Sequence, residues 1–106
     1  MRYRSTRGGS SVTFSEAVAQ GLAPDGGLYL PEEFPDLSSQ LEAWTALDYP
    51  SLCTEFFRYF ATDIPANDLK NCVQSAYAKF SNKFTAPLHE ISNNWKCLEL
   101  FHGPTL

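Results

Sequence analysis

The chain has 106 residues, of which 43% are hydrophobic and 14% aromatic, and its formal net charge is −4. That content supports one packed domain with a modest core and argues against a disordered tail. The acidic balance excludes a broad nucleic-acid footprint, and no apolar run is long enough to span a membrane.

Alternation around Tyr3 predicts a short opening strand over residues 2–6, followed by a Gly8-Gly9-Ser10-Ser11 loop. Thr13 and Glu16 are spaced as a capping box, so a helix is expected to begin there with Phe14, Ala17 and Val18 on its apolar face. Gly21 suits the position just past its end. Pro24-Asp25-Gly26-Gly27 predicts a tight turn, because proline presets one dihedral and glycine accepts positive φ. Leu28-Tyr29-Leu30 reads as a short buried strand ended by Pro31. A helix or a single turn is expected around Ser38 to Leu47, with Leu37, Leu41 and Trp44 on one face.

Two stronger helices follow. Pro50 belongs in a first turn, and Leu52, Phe56, Phe57 and Phe60 form the stripe behind it. Asp63-Ile64-Pro65 breaks the pattern, which resumes at Leu69, Cys72, Val73, Ala76, Tyr77 and Phe80. Aromatics at this spacing are read as core. Leu88 to Ile91 reads as a strand, and Asn93-Asn94 as a turn, since asparagine tolerates left-handed backbone. Trp95 to Phe101 is apolar on both faces apart from Lys96 and Glu99, so it is expected inside a sheet covered on both sides. The fold class expected is α+β: a small sheet from the two termini and Leu28–Leu30, packed by two or three helices.

Cys53, Cys72 and Cys97 are odd in number and widely spaced, which fits neither a disulfide framework nor a zinc site. Small buried thiols in a reducing cytoplasm are expected instead. Dinucleotide, phosphate-loop and nucleophile-elbow motifs do not occur. His89 sits within a strand and reads as structural. His102 stands at the end of an apolar strand and is followed by Gly103 and Pro104, a place where open α/β sheets hold ligands. A ligand contact and a plain turn both fit that position. An end on Pro-Thr-Leu directly after an apolar strand suggests that the natural chain continues.

Leu98-Glu99-Leu100-Phe101-His102-Gly103-Pro104-Thr105-Leu106 resembles the threonine synthase segment that continues as Ala-Phe-Lys-Asp. Val12 to Val18 and Gly21 to Pro31 resemble that family's N-terminal helix and glycine turn, and Tyr3 to Gly8 resembles the opening of one branch. The resemblance implies that the intact protein converts O-phospho-L-homoserine and water to L-threonine and phosphate with pyridoxal 5′-phosphate. Its Schiff-base lysine would lie three positions beyond Leu106, so this chain alone is expected to be inactive and not to bind the cofactor. Residues 1–94 would form the N-terminal domain. Residues 95–106 would begin a catalytic lobe resembling the tryptophan synthase β fold, which is fold type II.

The same resemblance places His102, Gly103, Pro104 and Thr105 along the approach to that lysine. Ser5, Thr6 and Arg7 would either reach the substrate phosphate, Arg7 through its fork of donors, or form a solvated strand end. No metal ligand and no nucleic-acid or membrane partner is implied, and the oligomeric state is left open. Two other readings remain: a threonine-synthase-like phospho-lyase acting on another phosphorylated amino compound, and a free-standing, non-catalytic interaction domain.

Overall fold

The computed structural model describes residues 1–103. The chain opens with β1 (Tyr3–Ser5), then α1 (Phe14–Gln20) and β2 (Tyr29–Pro31). A 3₁₀ turn (Ser38–Gln40) runs into the short α2 (Leu41–Trp44), followed by α3 (Tyr49–Phe60) and α4 (Ala66–Tyr77). A hairpin of β3 (Leu88–Ser92) and β4 (Trp95–Leu98) follows. Among the described residues no helix is long and apolar enough to cross a membrane.

Local chemistry explains where these elements start and stop. Both halves of the predicted capping box form: Thr13 Oγ1 accepts from Glu16 N at 3.2 Å, and Glu16 Oε2 accepts from Thr13 N at 2.7 Å. A third N-terminal donor of α1, Ser15 N, is taken by Asp63 Oδ2 at 3.0 Å, which ties this helix to the α3–α4 corner. Asp48 caps α3 by accepting from Ser51 N at 2.9 Å, and Pro50 lies in the first turn as expected. Pro65 closes the break between α3 and α4 and stands at the N-cap position of the latter without a side-chain cap, its carbonyl accepting from Leu69 N at 3.0 Å.

The core sits where α3 and α4 pack. Ala61, Leu69 and Val73 are buried, and Phe14, Cys53, Phe57, Ile64 and Tyr77 pack against them. Aromatic contacts carry the packing across to β1, with Tyr3 and Phe14 rings 5.7 Å apart and Phe14 and Phe57 rings 6.4 Å apart. Tyr3 also donates its hydroxyl to the carbonyl of Phe60 at 3.0 Å.

The sheet arrangement departs from the sequence expectation. Instead of one sheet joining both ends there are, among the described residues, two separate antiparallel pairs, β1 with β2 and β3 with β4. Ser5 lies opposite Tyr29 in the first pair, and Leu88 opposite Leu98 in the second. The strand expected at Leu28–Leu30 runs one residue later and is not buried, since Leu28 and Leu30 are both exposed. The predicted buried strand over Trp95–Phe101 is corrected as well: regular pairing ends at Leu98, and every residue of β4 is exposed. Its apolar residues read as a covered strand, but no layer lies on either face among the described residues. The turn at Asn93-Asn94 forms without left-handed asparagine, beside a register irregularity between Glu90 and Ser92. Two of the expected buried thiols, Cys72 and Cys97, are exposed, and Cys53 is half-buried.

Candidate functional site

The predicted phosphate-facing residues and the glycine turn form one cluster. β1 and β2 run antiparallel, which brings Ser5-Thr6-Arg7 against Asp25-Gly26-Gly27. Ser5 Oγ is buried; it donates to Asp25 Oδ1 at 2.6 Å and accepts from Arg7 N at 3.1 Å. The same Asp25 oxygen accepts from Gly27 N at 2.9 Å. Hydrogen bonds from Ser5 and then Gly27 hold the Asp25 carboxyl below its ordinary range. Thr6 Oγ1 accepts from Leu28 N at 3.1 Å, which leaves its own proton for another acceptor.

Gly26 adopts φ +77° and donates to Ala23 O at 2.8 Å, so the predicted turn is present. Arg7 Nη1 donates to the Asp25 carbonyl at 2.9 Å. That bond uses one of the five guanidinium donors and holds the group over the turn. Beside the cluster lies an open cleft of about 400 Å³, walled by Ser5, Gly9, Gln20, Asp25 and Tyr29 among others.

His102 and Gly103 stand elsewhere. His102 Nε2 and Glu99 Oε2 are 2.6 Å apart, and the imidazole lies against the Phe101 ring at 4.8 Å. With Tyr49, Tyr77 and Phe80 it borders a small pocket of about 120 Å³. This pocket shares no wall residue with the Ser5–Asp25 cleft. Pro104 and Thr105, expected to continue the approach, lie outside the described residues.

Sequence reasoning misses three neighbours of His102. In the sequence Glu99 reads only as a polar interruption of a strand, and Phe80 and Tyr77 only as core. The three-residue interval between Glu99 and His102 is the available signal, since it is short enough for the two side chains to meet.

The backbone places the chain in a specific structural class. Over 98% of its length it superposes on a crystal structure of PLP-bound threonine synthase from Brucella melitensis, with TM-score 0.89 and 40% identity. The threonine synthase structure from Escherichia coli matches the whole chain at TM-score 0.83 and 32% identity. It is therefore a small α+β domain of the kind found in threonine synthase structures. A family profile described as "Threonine synthase N terminus" matches residues 2–77, and the chain belongs to that family.

Sequence relatives agree. Threonine synthase of Schizosaccharomyces pombe is 45% identical over 97% of this chain, and that of Pseudomonas aeruginosa 40% over all of it. The rat protein called threonine synthase-like 2 is 40% identical over 99%. The chain spans about a fifth of the length of these relatives, at 21%, 23% and 22% respectively.

Proposed function

We propose that the chain is the N-terminal part of a threonine synthase that uses pyridoxal phosphate to convert O-phospho-L-homoserine and water to L-threonine and phosphate in the cytoplasm. The observation that carries this reading is the TM-score of 0.89 at 40% identity to a PLP-bound threonine synthase, over almost the whole chain. The cofactor would act as the electron sink for carbanions at the substrate's α and β carbons.

Residues 1–103 do not fit a cofactor site of their own. Their lysines, Lys70, Lys79, Lys83 and Lys96, are all exposed, and none borders the Ser5–Asp25 cleft or the His102 pocket. In this proposal the reacting lysine lies in the remaining four fifths of the protein, and the chain alone is inactive. The contribution of this chain is to bind and position. Arg7, fixed by the Asp25 carbonyl, presents its remaining donors to the substrate phosphate, with the Thr6 hydroxyl beside it. Ser5 acts through Asp25 and the turn rather than on substrate, because its hydroxyl is buried and doubly bonded. Residues 95–106 lead into the catalytic lobe, with His102, Gly103, Pro104 and Thr105 along the approach to the lysine.

One observation keeps a second reading in view: the rat relative called threonine synthase-like 2 matches as well as the bacterial synthase, both at 40%. Phosphate release by the intact protein separates the two. Turnover of phosphohomoserine with none on phosphoethanolamine supports the synthase. Turnover of phosphoethanolamine alone supports a related phospho-lyase and overturns the proposal.

A further inference from the structure

The path of the chain where it leaves the hairpin is set at two points. Glu99 N donates to Pro87 O at 2.9 Å, extending the β3–β4 ladder one residue past Leu98. The Glu99 side chain then turns back to His102 Nε2 at 2.6 Å, and both side chains are about three quarters buried, with exposures of 23% and 25%. This pair links the two ends of residues 99–102, an irregular segment with no backbone turn of its own. Gly103 comes next at φ +135°, a conformation that favours glycine. A Cβ there would lie 2.8 Å from Phe80 Cζ and 3.1 Å from its neighbouring ring carbon, so the backbone passes directly against the ring.

Phe80 is itself held. Its ring centroid lies 5.1 Å from that of Tyr77, and Tyr77 meets Tyr49 edge-on at 5.3 Å. The stack therefore spans α4 and the start of α3. The side-chain pair thus braces the short segment internally, and the ring-to-backbone approach at Gly103 sets it against the helical layer, although the hairpin it leaves is exposed.

We propose that Glu99 is a positioning residue: its bond to His102, together with the Phe80–Gly103 approach, sets the direction in which the chain leaves this domain toward the reacting lysine. This rests on the functional reading above. Glu99 touches no reacting atom; it acts by holding His102 and Gly103 in place. Carboxylate-to-imidazole pairing suits the task because Oε2 accepts from Nε2–H whether the ring is neutral or charged. Small misplacement of a segment next to reacting groups costs far more in rate than in binding.

The test has two arms. In the intact protein, Glu99→Ala should speed exchange of the residue-99 amide, the last donor of the β3–β4 ladder, by about tenfold, the loss expected for one partly buried charged hydrogen bond. The His102 ring should also lose its preference for the Nε2–H tautomer, while α3–α4 amides stay protected. Glu99→Gln, which keeps an acceptor oxygen, should recover most of the protection. Phe80→Leu withdraws the ring from Gly103 and should raise the backbone mobility of residues 102–103 in NMR relaxation.

In the intact protein, Glu99→Ala and Phe80→Leu should each lower kcat by about tenfold or more with little change in KM. The positioning role is overturned if neither the residue-99 amide exchange nor the backbone mobility of residues 102–103 changes in either variant, or if an active wild type and both variants share one kcat. If the intact wild type releases no phosphate from phosphohomoserine, the functional reading falls and the positioning role with it. The exchange arm then still reports separately on the segment.

Discussion

Replacing Gly27 with alanine would place a methyl group where β1 leaves no room. Its Cβ would lie 2.1 Å from Ser5 Oγ and 3.0 Å from both Asp25 Oδ1 and Thr6 Oγ1. Ser5 is only 5% exposed, so its hydroxyl cannot swing into solvent and must give up its bonds to Asp25 and Arg7. Stranding a buried hydroxyl costs about 1–3 kcal/mol, and the residual overpacking costs a similar amount. Alanine returns about 0.4–1 kcal/mol by restricting the unfolded chain. The net loss is about 3 kcal/mol, which lowers the urea midpoint by about 2–3 M for a domain of this size, where the slope is near the low end of its range.

Gly21→Ala is the internal comparison. Gly21 has φ +72° and ψ −84°, but nothing lies within 4 Å of where the added methyl group would sit, so only backbone strain applies, about 1–3 kcal/mol and independent of Ser5. In a Ser5→Ala background the main clash is gone, and the Gly27→Ala penalty should fall by about half. An equal Gly27→Ala penalty in the wild-type and Ser5→Ala backgrounds would refute the assigned clash, whereas the Gly21→Ala penalty should be the same in both.

Thr13→Ala removes one half of the α1 capping box and should cost about 1 kcal/mol in urea denaturation, with no change in the slope. Acid should destabilise the chain. The Asp25 carboxyl is held below its ordinary 3.8 by Ser5 and Gly27, and that of Asp48 by Ser51. The folded state thus binds these protons less readily than the unfolded one, so stability persists above about pH 4 and falls as pH drops through the native values. Denaturation midpoints measured across that range check the direction. At the alkaline end burial raises Tyr49 and Tyr77 above 10.0, so stability present below that pH is lost as pH rises past it. Tyrosinate absorbance should then appear together with loss of helical circular dichroism. Cys72 and Cys97 should react quickly with a thiol reagent under native conditions and the half-buried Cys53 slowly, a difference that denaturant abolishes.

Most of the local structure is legible in the sequence because its signals are local. Thr13 and Glu16 announce α1, Asp63-Ile64-Pro65 separates α3 from α4, and Pro24 to Gly27 makes its turn, each within a few residues. The partner of β4 is marked only by the Asn93-Asn94 turn, a signal that the apolar character of the strand outweighs. An apolar strand says that it wants cover, but not which strand pairs with it, and β3 lies just across a two-residue turn. Cys72 falls on the edge of a helical stripe, where period alone does not separate core from surface.

The candidate residues show the same division. Ser5, Arg7 and Asp25 stand out separately in the sequence, yet their convergence depends on the β1–β2 register, a tertiary fact. Phe80 fits the α4 stripe but lies beyond the helix end at Tyr77, which frees its ring to meet Gly103. Thr85, buried at φ +61°, gives no sign at all in a sequence where glycine or asparagine is the usual choice for such backbone.

The central claim is that this domain leads directly into a lysine-bearing catalytic lobe. Reading the coding sequence past the codon for Leu106 tests it most directly. The expected reading is Ala-Phe-Lys followed by several hundred further codons, in keeping with relatives of which this chain spans about a fifth. A natural stop codon directly after Leu106 would contradict the claim and make the chain a free-standing domain without catalytic chemistry.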